Sequence, residues 1–126
     1  MTRTMSLRST VRHALASADE VAAEQERHEA ALVRGCSAVA DLETRHRGIA
    51  TGVLRSVVLR PRETVPTVEA ELYDGSGSLD LVWLGRRTIP GIEPGRRIRV
   101  EGMVCEVDGR RVVYNPRYEL RPQAGE

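Results

Sequence analysis

The side chains best equipped for chemistry in this chain are its 19 arginines, which stand without a single lysine. A guanidinium pairs bidentately with phosphate and stacks on planar groups, so clustered arginines suit a polyanion better than they suit proton transfer. Arg86 and Arg87 open a Pro- and Gly-containing connection, Arg96 and Arg97 close it, and Glu93 is the one acid between them. Arg99 continues the series along the next strand, Arg110 and Arg111 edge a hairpin, and Arg55, Arg60 and Arg62 follow an earlier strand and its exit. A groove lined in this way would track a nucleic-acid backbone and release counterions, with affinity falling as salt rises. The competing reading of each single arginine is a solvated surface residue.

Other chemistry finds little support. His13, His28 and His46 are scattered, and Cys36 and Cys105 form neither a CxxC pair nor a Cys/His set with metal-ligand spacing. Both cysteines are expected as buried, reduced thiols. Asp74, Asp80, Glu69 and Glu71 lack a partner that would poise a proton, and no nucleophile is paired with a base. The glycines of "DGSG" lie between two strands and do not open a helix, so they make no phosphate loop. No enzyme activity, metal or cofactor is expected.

The elements that would position the arginines follow from periodicity. Residues 6–35 read as helix: Ala, Glu, Arg and Leu dominate, with Leu7, Val11, Leu15 and Ala18 on a narrow apolar stripe, a possible restart at Ser17 and a stop at Gly35. From residue 47 the period becomes two. In "TVEAELYDG", Val68, Ala70 and Leu72 share one face, while Glu69, Glu71 and Tyr73 share the other. "SLDLVWLG" sets Leu79, Leu81 and Trp83 against Asp80, Val82 and Leu84. Asp108-Gly109 is a two-residue hairpin signal, and "RRVVYNPRYEL" supplies a last strand expected to bend or end at Pro116. Five short strands with a long third-to-fourth connection predict a small barrel, with Gly52 and Gly102 allowing tight coiling. The expected organisation is a helical extension over residues 1–44, a barrel over 45–122 and a tail over 123–126.

"VEAELYDGSGSLDLVWLG", "IEPGRRIRVEGMV" and "VVYNPRYEL", taken in order, resemble the OB-fold nucleic-acid-binding family. The form is that of the wedge domain of the branch-migrating DNA helicase, of anticodon-binding domains and of small stand-alone actinobacterial OB proteins. The resemblance covers roughly residues 38–121 and rests on the D-G-x-G turn at Asp74–Gly77, Pro94-Gly95, and N-P-x-Y-E at Asn115–Glu119. It implies a mainly β, five-stranded Greek-key barrel that binds single-stranded or junction nucleic acid. In this fold the second and third strands usually carry the ligand, which makes Tyr73 the leading stacking candidate. Alternation puts Trp83 on the Leu79–Leu81 side, where a lone aromatic is usually core filler; stacking at the barrel rim is the alternative. Tyr114 and Tyr118 are read first as packing residues and second as rim stackers.

A formal net charge of +1 excludes a strongly basic binder, but the charge is uneven. Residues 1–44 hold five arginines against seven acids, and residues 45–126 hold fourteen against eleven. With no membrane-length apolar run and no signal-like apolar stretch, a soluble cytoplasmic protein is expected. The expected function is non-catalytic binding of single-stranded or structured DNA or RNA with low sequence specificity. Arg55, Tyr73, Trp83, Arg86, Arg87, Arg96, Arg97, Arg99, Arg110 and Arg111 are its candidate contacts. The alternative is a protein-interaction module whose acidic N-terminal helix dimerises or docks a partner, with the barrel as scaffold. Within the nucleic-acid reading, the same helix could mimic nucleic acid and cover the barrel's own groove.

Overall fold

A computed structural model of the chain describes residues 18–27, 35–61 and 65–122. Residues 18–27 are helical, as the composition of the segment predicts. The remainder of the expected helix, including the restart at Ser17, together with His13, His28, Arg62 and the tail at 123–126, lies outside the described residues.

A short 3-10 turn, Val39–Asp41, precedes strands β1 (Arg47–Arg60), β2 (Thr67–Tyr73), β3 (Ser78–Leu84), β4 (Arg97–Val107), β5 (Arg110–Tyr114) and β6 (Arg117–Leu120). Strand order β1-β2-β3-β5-β4, with β4 returning to β1, closes a five-stranded ring; β6 adds to β4 outside it. Among the described residues one parallel contact joins β3 to β5, and the other pairings are antiparallel.

Strand β1 closes the ring because it serves two neighbours. Arg47–Val53 pairs with β4, and Val53–Arg60 pairs with β2. The handover needs sharp coiling, which two features supply. Arg55 is an extra residue in the register, because Leu54 faces Leu72 while Ser56 faces Glu71. At Gly52 a side chain would run into the carbonyl of Tyr73, so only glycine permits this approach. Gly102 plays a similar part on β4, where a side chain would meet Val113.

The inward faces match the period-two pattern. Val68, Ala70, Leu72, Leu79, Leu81 and Trp83 are buried with Ala50, Leu54, Ile98, Val100, Val104 and Val113 in one cluster. Val39 and Leu42 belong to the same cluster, so the expected boundary at residue 44 cuts through the barrel's packing. Aperiodic chain just before the first strand carries no strand signal, yet these two side chains plug the barrel. Ser37 N–H also bonds the carbonyl of Ile49 at 2.9 Å.

Two turns have a clear chemical cause. Asp74, 1% exposed, accepts from Val39 N–H at 2.8 Å, Ser76 N–H at 2.9 Å, Ser76 Oγ at 2.7 Å and Gly77 N–H at 3.1 Å. The D-G-x-G turn is therefore a structural clasp that ties the β2–β3 hairpin to the chain preceding β1. At the other hairpin, Asp108 and Gly109 have φ of 51° and 77°, the left-handed pair of a type I′ turn.

The final strand breaks where proline demanded it. Asn115 has φ of 50°, its N–H bonds the carbonyl of Val82 at 2.7 Å, and its Oδ1 accepts from Leu84 N–H at 2.9 Å. Asn115 thus extends the β3–β5 pairing by one residue before Pro116 redirects the chain into β6.

Candidate nucleic-acid interface

The outer face of β2 and β3 is the usual ligand face of such a barrel, and here it is occupied by ion pairs. Glu69, Glu71 and Asp80 project from it with Arg60 and Arg110, and these five residues, with Ser56, Val58 and Ala70, line a cavity of about 360 Å³. Arg110 binds Asp80 bidentately, Nε to Oδ2 at 2.7 Å and Nη2 to Oδ1 at 2.8 Å, and lies 4.0 Å from Glu71. The Asp80 hydrogen bonds and charge hold Arg110 above even the usual guanidinium pKa. Arg60 pairs with Glu69, and Ser78 Oγ donates to Glu71 at 2.9 Å. Within this cavity three carboxylates meet two guanidiniums, both already paired, which leaves it unsuited to a phosphate backbone.

Most of the arginines expected to form one track are engaged separately. Arg55, displaced outward by the bulge, lays its guanidinium 3.3 Å from the centroid of Tyr73, covering a face on which a base was expected to stack. Arg111 donates from Nε to Leu42 O at 3.1 Å and from Nη2 to Ala40 O at 3.0 Å, capping the 3-10 turn. Arg97 holds Glu26 of the helical segment through bonds of 2.8 and 3.0 Å. Arg99 lies beside Cys36, whose thiol burial pushes up and Arg99 and Arg121 partly pull back. Both cysteines are free, and half-buried rather than buried. Arg96 is half-buried, with its Nε enclosed and unbonded.

The two double-arginine pairs also separate, because residues 85–96 cross the barrel's end. Gly85 N–H bonds Pro66 O at 2.8 Å, Ile89 inserts at 6% exposure, and Gly95 N–H bonds Leu54 O at 2.7 Å. The crossing leaves Arg86 and Arg87 beside β3 while delivering Arg96 and Arg97 to β1. Convergence of all the named arginines on one side is therefore replaced by a smaller cluster.

That cluster frames a groove of about 590 Å³ at the corner between β3 and the β5–β6 break. Arg86 and Arg117 line it with Asn115, and its apolar surface comes from Leu84, Ile89, Pro116, Trp83 and Tyr118. Arg86, Arg87 and Arg117 are exposed, and none has an ion-pair partner among the described residues. No carboxylate lines the groove. Trp83 is 4% exposed and packs edge-to-face against Tyr118, with centroids 5.9 Å apart at 82°. It forms the groove's floor, and its ring is covered against base stacking. Tyr118 is fixed by its hydroxyl, which donates to Pro90 O at 3.1 Å. Tyr114, next to Val82 across the β3–β5 pairing, is 45% exposed nearby. Arg117 and Asn115 were absent from the sequence-based contacts. The run N-P-R was the available signal, since a left-handed residue before proline turns the following side chain out of the sheet.

Residues 18–27, the described part of the helical segment, lie away from this groove. Arg27 Nη1 donates to Gly75 O at 2.7 Å, and Glu26 binds Arg97. Gly75, at φ of 87°, packs against the carbonyl of Ala23 so closely that a side chain would clash. Gly75 and Arg86 flank opposite ends of β3, about 20 Å apart at ~3.3 Å per residue. The described part of the acidic helix therefore engages Arg97, one of the arginines expected in the groove, and does not line the corner of Arg86 and Arg117.

No protein-family model matches this chain, and no curated relative is found. Solved structures do match. One of RecG bound to a three-way DNA junction aligns with a TM-score of 0.58 and 22% identity, over 71% of this chain and 13% of the RecG chain. The chain therefore spans only a small part of that protein's length. The replication factor A related protein from Methanobacterium thermoautotrophicum aligns with a TM-score of 0.52 and 15% identity, over 70% of this chain and 92% of the other. Ring order, the β1 bulge and these alignments together identify the architecture as an OB-fold barrel.

Proposed function

We propose that this protein binds single-stranded or structured nucleic acid with low sequence specificity, without catalysing a reaction, and that the corner groove is where it does so. One observation carries the reading: the groove presents two exposed guanidiniums and no carboxylate, whereas the cavity on the β2–β3 face presents three carboxylates and two guanidiniums already paired with them. Phosphates would sit against Arg86, Arg87 and Arg117, and a base would lie over the apolar surface made by Leu84 and Tyr118. The DNA-bound RecG structure among the fold's neighbours is in keeping with this role. Docking of the helical segment on its own barrel engages Glu26 and Arg27, which weighs against a dimer built through that face.

Fluorescence anisotropy with a labelled single strand of about 12 nucleotides, at about 50 mM salt, tests the proposal. Saturable binding is expected, weakened about tenfold or more by Arg86→Glu/Arg117→Glu. Absence of binding, or binding indifferent to that pair, overturns it.

A further inference from the structure

Resting on the reading of the corner groove as the nucleic-acid site, we propose that Asn115 selects the base held there, favouring thymine or uracil over cytosine. The residue is fixed twice, once through its backbone and once through its side chain. Its backbone N–H bonds Val82 O at 2.7 Å, and its Oδ1 accepts from Leu84 N–H at 2.9 Å. A peptide N–H can only donate, so the amide oxygen must face Leu84, and chemistry decides the orientation of the amide. The NH2 group is then the spare end, on a residue that lines the groove between Arg86 and Arg117.

Hydrogen-bonding groups around the groove are strongly one-sided. Guanidinium has donors and no acceptor, and the Asn115 amide oxygen already accepts from Leu84 N–H, which leaves it one lone pair. Tyr118 donates its proton to Pro90, so its hydroxyl oxygen is the other side-chain acceptor in the lining. Thymine and uracil carry a carbonyl acceptor at the pyrimidine 4-position, and cytosine carries an amino donor there. A carbonyl facing the Asn115 NH2 completes a hydrogen bond; an amino group leaves two donors opposed and unsatisfied. Uracil and cytosine share size and ring shape, so the apolar floor does not distinguish them, whereas thymine adds a 5-methyl group that the floor can favour on its own. The preference expected is modest, as one hydrogen bond allows, and consistent with broad binding.

Anisotropy titrations of deoxyuridine-only and deoxycytidine-only strands of about 12 nucleotides, matched in lacking the 5-methyl group, test this. The native chain should favour the deoxyuridine strand about three- to tenfold. Asn115→Asp tolerates the left-handed backbone and still accepts from Leu84 N–H, but presents a carboxylate oxygen where the NH2 stood. It should weaken both strands and reverse their order. Asn115→Gly, which also suits the backbone, should bring the two affinities together. Equal affinities in the native chain overturn the proposal. So does a deoxyuridine preference that survives in Asn115→Asp, which chain flexibility and stacking alone would produce. Failure of both strands to bind in a salt-dependent way would instead remove the groove reading on which the proposal rests.

Discussion

Replacing Arg86 and Arg117 together by alanine should change the salt dependence of binding more than any equal change on the β2–β3 face. Arg86, Arg87 and Arg117 are exposed and unpaired among the described residues, so each can neutralise one phosphate on binding. Single strands contribute a slope of about −0.7 in log K against log salt per phosphate neutralised, which gives about −2 for three contacts. Between about 50 and 200 mM salt, affinity should then fall about 18-fold. With one arginine left, the slope becomes about −0.7 and the same salt change costs about threefold. Arg110→Ala is the control. Arg110 already compensates Asp80 and Glu71, so its removal should lower affinity somewhat without flattening the slope. Anisotropy titrations at four or so salt concentrations give the slopes directly. A double variant that keeps a slope near −2, or an Arg110→Ala slope that collapses, would refute the assignment of phosphates to this corner.

Three further outcomes follow from the packing. Asp74→Asn would turn an NH2 toward the Val39 N–H, opposing two donors in a buried site, and should cost about 1–3 kcal/mol in urea unfolding. Nucleic-acid affinity should be unchanged in that variant, and a cost below about 0.5 kcal/mol would contradict the clasp. Glu26→Ala should loosen the helical segment and speed tryptic cleavage after Arg27, with little effect on the barrel's unfolding midpoint; unchanged cleavage would show that the Arg97 pair does not hold it. Burial raises the Cys36 thiol pKa, so the fold favours the neutral form. Its stabilising share is complete below the unfolded thiol value of about 8.5 and is lost as pH climbs through the higher folded value. The urea midpoint should therefore drop more steeply above about pH 9 than in Cys36→Ser, and identical declines would contradict this.

The barrel was readable from the sequence because its cause is local. Alternation in Thr67–Tyr73 and Ser78–Leu84 fixes which side faces inward, Asp108-Gly109 fixes a hairpin, and Gly52 marks the tight coil. The arginine cluster was only partly readable, since whether a guanidinium is spent depends on cross-strand register. Arg110 meets Asp80 because β3 and β5 run parallel with Asp80 beside Val112, a pairing that linear spacing does not display. Arg55 is turned onto Tyr73 by a bulge that leaves no compositional mark. Val39 and Leu42 were assigned to the extension because two core residues in an aperiodic stretch carry no strand signal.

Nitrogen-edited amide spectra recorded during titration with a thymidine strand would test the central claim most directly. The largest shifts should fall on Leu84, Arg86, Arg87, Asn115, Arg117 and Tyr118. Shifts concentrated on Glu69, Glu71, Asp80 and Arg110, with that corner silent, would contradict it.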